Sequence, residues 1–198
     1  MFKRCFLVVF SFLFAATGVV FAGPYLDQAP PGGEAVLFAP GIVSDGINNR
    51  DMAITPDGNE MYWSNNLRNF DVSVILVSRR GKDGWSEPEV APFSRDPNYV
   101  YYEPAISPDG SKLLFVAQKT GEEANDIWVM DRQGDAWGEA NMMEAPINTP
   151  GKEYFPSLTH DGTMYFTREG DTPGMEAIFR SRFVDGAYTK PERLPDKV

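Results

Sequence analysis

The stretch Ile106-Ser107-Pro108-Asp109-Gly110, followed by the apolar run Leu113-Leu114-Phe115-Val116, decides the reading of this chain. Pro fixes the first central position of a tight turn. Gly accepts the left-handed conformation that follows, and Asp can accept backbone N–H bonds. The run after it is too short for a helix and rich in β-branched and aromatic residues, so a strand leads into the turn and another leaves it. The same element stands earlier as Ile54-Thr55-Pro56-Asp57-Gly58 and later as Leu158-Thr159-His160-Asp161-Gly162, 52 residues away in each direction. A second marker keeps step, since Trp85, Trp137 and Tyr188 are separated by 52 and 51 residues. Ala39-Pro40, Ala91-Pro92 and Ala145-Pro146 form a third series, and Leu194-Pro195 begins a further interval.

Within the second unit four apolar runs are expected to be strands: Glu103–Ser107, Lys112–Ala117, Asp126–Asp131 and Trp137–Glu144. Gly81-Lys82-Asp83-Gly84 and Gln133-Gly134-Asp135 supply further hairpin turns. Four short antiparallel strands at a period near 50 describe a β-propeller blade. A lone four-stranded sheet cannot bury either face. Stacking sheet on sheet hides Tyr62, Trp63, Phe115, Trp128, Tyr165, Phe166 and Phe179. The fold class is therefore all-β, about three four-stranded antiparallel blades of an incomplete propeller, with repeats at about 39–90, 91–144 and 145–193.

Residues 1–22 read as a secretory signal. Lys3 and Arg4 precede the apolar run Cys5 to Ala16, and Val20-Phe21-Ala22 offers small residues for cleavage before Gly23. The rival reading is an uncleaved membrane anchor. Cleavage predicts a periplasmic or secreted protein with no stable membrane span. Cys5 leaves with the signal, so neither a disulfide nor thiol chemistry is expected in the mature chain. The whole chain has 198 residues and a net charge of −10, with 18 Lys and Arg against 28 Asp and Glu. Loss of Lys3 and Arg4 makes that −12. Such a balance argues against nucleic-acid binding, which needs a basic surface.

The phased turn, the apolar-aromatic strand after it, the strand Asp126-Ile127-Trp128-Val129-Met130 and the Trp-bearing fourth strand together resemble WD40-like β-propeller repeats of the TolB-like type. The resemblance covers about residues 39–198. It departs at His160, which replaces Pro, and at Tyr188, which replaces Trp. By analogy it implies protein contacts in the cell envelope. Propellers close with four to eight blades. About three therefore imply a piece of a longer ring, an open arc, or a homodimer closing a ring of about six.

Asp57, Asp109 and Asp161 recur with the turn and are read as structural. His160, the sole histidine, is read as an exposed turn residue, which leaves a Ser-His-Asp triad without support. The oxygen-rich segment Asp45 to Asp51 lacks EF-hand spacing. No catalytic residue, metal or cofactor is expected. The residues leading into the first strand of each blade differ between copies while the turns do not, so a binding site is expected there. Its candidates are Arg50, Asp51, Tyr102, Glu103 and Tyr154, with Arg168 from a neighbouring loop, and the expected ligand is a protein or a glycan. The alternative is a carbohydrate-active propeller of glycoside hydrolase type, using Asp51 and Glu103 as paired carboxylates.

Overall fold

The computed structural model describes residues 28–29, 32–68, 71–169 and 174–195. The signal reading, residues 1–22, lies outside them. Among the described residues three antiparallel sheets of four or five strands follow one another. The first contains β1 (Asn48–Ile54), β2 (Glu60–Leu67) and β3 (Val72–Gly81), with the short strands β4 (Gly84–Trp85) and β5 (Glu89–Val90) both paired to β3. The second contains β6 (Tyr99–Ile106), β7 (Lys112–Lys119) and β8 (Asp126–Gln133), with β9 (Ala136–Trp137) and β10 (Asn141–Met142) on β8. The third runs β11 (Glu153–Leu158), β12 (Met164–Glu169) and β13 (Glu176–Ser181). Beyond it the hairpin β14 (Phe183–Val184) and β15 (Ala187–Tyr188) leads to β16 (Glu192–Arg193), which pairs with β13.

The first strand of the second sheet begins at Tyr99, earlier than expected, because Tyr99 to Tyr102 pair with Val116 to Lys119. The expected fourth strand over Trp137–Glu144 is broken into β9 and β10. The Gly138 amide turns back to the Asp131 carbonyl (2.9 Å), ending the hairpin before the chain rejoins β8.

Each turn closes in the same way. The amides of Gly58, Gly110 and Gly162 donate to the carbonyls of Thr55, Ser107 and Thr159 at 2.8–3.0 Å. The Thr55, Ser107 and Thr159 hydroxyls bond to Asp57, Asp109 and Asp161, and those carboxylates also accept the amides of Asn59, Ser111 and Thr163. These donors stabilise the ionised form, holding Asp109 and Asp161 down at about 2.

The third turn is one residue shorter. Ile54 pairs with Met61 and Ile106 with Leu113, but Leu158 pairs with Met164. This deletion accounts for the spacing of 51 between Trp137 and Tyr188. The Ala-Pro series does not keep step. Ala91, Met143 and Leu194 make the equivalent amide bonds to Ile75, Ile127 and Ile178, so Ala145-Pro146 lies two residues past the position of Ala91-Pro92.

The sheets pack face to face. Tyr62, Ile75 and Val77 of the first meet Tyr101, Leu113, Phe115 and Met130 of the second. Leu114, Val116 and Ile127 on the other side of the second meet Met164 and Phe166 of the third. The outer face of the first sheet is covered by its own chain: Phe38, Ala39, Ile42 and Val43 pack on Met61 and Trp63, which are completely buried. A second copy closing a ring against that face would have to displace these residues. On the far face of the third sheet, the positions of Val77 and Val129 are taken by Arg180, which pairs with Glu192 at 2.6 Å.

Candidate functional site

The first strands of the three sheets carry the same irregularity. Register slips by one residue between Arg50 and Ala53, between Tyr102 and Ala105, and between Tyr154 and Ser157. Each bulge places one residue in the left-handed region: Asp51 at φ 55°, Glu103 at 57° and Phe155 at 49°. None is Gly, although that conformation disfavours other side chains. Bulged residues lose their ladder partner, so their amides must be satisfied elsewhere. Here the preceding sheet does it. The Glu103 amide donates to Ser64 Oγ (2.9 Å), and the Ser64 hydroxyl donates to Asp51 Oδ2 (3.3 Å). In the second sheet the position of Ser64 is filled by Val116, which cannot accept. The Glu103 carboxylate takes its place and accepts the Phe155 amide (2.7 Å). The three bulges are thus linked in one polar chain across all three sheets.

Arg50 sits over this chain. Its Nε lies 2.6 Å from Asp51 Oδ2, its guanidinium reaches to 3.7 Å from Glu103 Oε1, and its centre lies 5.6 Å from the centre of the Phe155 ring. Phe155 is 49% exposed and Met52 45% exposed, so apolar surface flanks the charges. Tyr102 and Tyr154 meet beside it. The Tyr102 hydroxyl has Asn125 Oδ1 at 3.0 Å and Gln118 Oε1 at 3.2 Å as acceptors for its one proton, and Tyr154 hydrogen-bonds to the same Asn125. Burial raises both phenols.

Arg50, Asp51 and Glu103 therefore come together, with Tyr102 and Tyr154 adjacent. Arg168 is engaged within the third sheet. Its Nε lies 2.7 Å from the fully buried Glu153, its Nη2 donates to the carbonyls of Pro146 and Ile147, and its guanidinium lies over Phe166 and Phe179. Ser64 joins the site without having been expected there, and Phe155 stands at the third entry, in phase with Asp51 and Glu103.

Burial is the largest influence on Glu103 and pushes its carboxyl up to about 7. The Phe155 amide and Arg50 oppose that rise, while Asp51 and Glu176 add to it. The folded chain thus holds a proton that the unfolded chain has lost between about pH 4.5 and 7. Stability from this group is present below that window and falls as pH rises through it. Glu103→Gln keeps an acceptor for the Phe155 amide and removes the buried charge. Urea denaturation at pH 5 and pH 8 is expected to show wild-type protein losing on the order of 2–3 kcal/mol between the two, and the variant losing little.

No protein-family model and no curated protein matches the chain. Solved structures do. TolB from Acinetobacter baumannii aligns over 76% of this chain and 33% of its own, at 24% identity and a TM-score of 0.50. A TolB-type structure from Agrobacterium tumefaciens aligns over 74% and 50%, at 15% and 0.48. A prolyl endopeptidase aligns over 72% and 21%, at 16% and 0.47. The chain spans a third to a half of the length of the TolB structures it matches. The first of these likenesses, with three antiparallel sheets stacked at a repeat of 51–52 residues, shows an all-β chain built of TolB-like propeller blades.

Proposed function

We propose that this chain is an exported propeller scaffold that binds a protein ligand on the surface formed by the three bulges. The observation that carries the reading is the polar chain Asp51–Ser64–Glu103–Phe155. It draws one residue from each first strand to a common surface and leaves Arg50, Phe155 and Met52 facing outward beside it. Charged and aromatic groups held on rigid strands suit recognition of another polypeptide. The charged and apolar pattern of residues 1–22 supports export.

The glycosidase alternative rests on Asp51 and Glu103. Arg50 contacts both carboxylates and occupies the approach to them, whereas that chemistry needs a sugar between two such groups. The test uses the mature chain, immobilised, with an envelope extract of the source cells. Wild-type protein is expected to retain a defined partner, and Arg50→Ala with Phe155→Ala to lose it at least about tenfold. Retention unchanged by the double substitution would overturn the reading. Hydrolysis of fluorogenic glycosides, abolished by Glu103→Gln, would replace it with the enzymatic one.

A further inference from the structure

The two sheet junctions can be compared position by position at the turn end of the blades. At the first, the Glu60 carboxylate holds two guanidiniums: Arg79 across the strand pair (3.3 Å) and Arg132 from the next sheet. Arg132 lies 4.7 Å over the Trp137 ring, and Trp137 Nε1 donates to the Tyr62 hydroxyl (2.8 Å). At the second junction the register puts Lys112 in the place of Glu60, Asp131 for Arg79, Leu114 for Tyr62, Phe183 for Arg132 and Tyr188 for Trp137. The charges of the first pair are inverted, and Lys112 still pairs with Asp131. Among the described residues no third charge joins this pair. Where the inverted triad would need an anion from the next sheet, the chain supplies a phenyl ring.

A cavity of about 220 Å³ opens at this point. Its apolar walls are Leu114, Val129, Leu158, Met164, Phe183 and Tyr188, and Lys112 and His160 also line it. Phe183 and Tyr188 form an edge-on pair 5.0 Å apart. Phe183 can lie there because Gly162 is beneath it: a Cβ on that residue would come within 3.3 Å of Phe183 Cβ.

We propose that this cleft binds a small carboxylic acid whose body is a single aromatic ring, its carboxylate supplying Lys112 with the second anion and its ring lying between Phe183, Tyr188 and Met164. The site is separate from the bulge surface, and the inference goes beyond the function proposed for that surface. An apolar cavity of roughly 150 Å³ is enough for a benzene ring, so this volume admits one ring and a short chain. Aromatic edges and a methionine sulfur suit a ring, and a charge-assisted bond to Lys112 selects an acid over a neutral analogue. Asp109 also lines the cleft, but its carboxylate is taken up by Ser107 at 2.6 Å and by Ser111 at 2.8 and 2.9 Å. The net negative charge of the chain acts from a distance and is screened beyond about 8 Å at physiological salt.

The test is an NMR titration of the mature chain with 3-phenylpropionate, with 3-phenylpropan-1-ol and propionate as controls. Phenylpropionate is expected to shift the amides of Lys112, Phe183 and Tyr188 saturably, with a Kd at least about tenfold below those of the alcohol and of propionate. Lys112→Met is expected to erase the preference for the acid over the alcohol, and Phe183→Ala to weaken both. Four results would overturn the proposal: equal affinity for acid and alcohol, a preference that survives Lys112→Met, shifts centred elsewhere such as on Trp137, or no saturable shift at about 10 mM. A cleft built for an apolar side chain of a peptide would give the first of these.

Discussion

Truncating Phe115 to alanine is expected to lower stability by about 3–5 kcal/mol, the range for a large aromatic removed from a packed core. The ring is 1% exposed. It stacks on Phe93 at 4.8 Å, and Tyr101 and Trp128 lie 6.1 and 6.2 Å away. These four residues, with Tyr62 and Met130, are the material of the first sheet junction, so the cavity would open between two sheets. Phe115→Leu refills much of the volume and is expected to cost about 1.5 kcal/mol or less. Thermal unfolding followed by near-ultraviolet circular dichroism measures both. A chain of this size loses roughly 2–4 °C for each kcal/mol, so the alanine variant should melt about 10 °C lower. Stacked repeats are held by nearest-neighbour contacts. The alanine variant should therefore also broaden the transition, because weakening one junction uncouples the sheets on either side. A narrow transition with an unchanged midpoint would mean that the blades do not depend on one another.

That dependence was legible in the spacing of the turns, because a repeated Asp-Gly bend between apolar runs is a local property of the chain. The shortened third turn was also visible, as the spacing of 51 between Trp137 and Tyr188, although only the pairing of Leu158 with Met164 locates the missing residue. The bulges were not legible. A left-handed residue is usually announced by Gly, and here the three are Asp51, Glu103 and Phe155, residues with nothing in common but their phase. What fixes them is an acceptor on the preceding sheet, about 40 or 50 residues away, such as Ser64 for Glu103 and Glu103 for Phe155. The covering of the first sheet by Phe38, Ala39, Ile42 and Val43 likewise depends on a packing partner that no local pattern names. Arg168 was expected in a loop beside the first-strand entries. Its real environment is set by Glu153 across a strand pair and by two carbonyls before it.

The environment of Arg168 leads to the other large effect. Glu153 is 0% exposed and has Arg168 Nε at 2.7 Å, the Thr149 hydroxyl at 2.7 Å and the Thr149 amide at 3.2 Å. Removing one partner of a buried ion pair leaves the other charge without compensation, at a cost of roughly 3–5 kcal/mol. Glu153→Ala is expected to fall in that range. Arg168→Met should cost less, because Glu153 keeps its two bonds from Thr149, while Arg168 without Glu153 keeps only carbonyl partners and the faces of Phe166 and Phe179. The double variant Glu153→Leu with Arg168→Met removes both charges. It is expected to recover most of the loss, since well-packed apolar replacements of buried pairs are often neutral or stabilising. A double-mutant cycle in urea, with Glu153→Leu and Arg168→Met as its single variants, should give a coupling of about 3 kcal/mol or more. If the double variant is instead as unstable as the sum of its parts, the pair is held by its separate bonds to the 146–149 segment. The anchoring of the third sheet to the second would then lie in that segment rather than in the contact between the two charges.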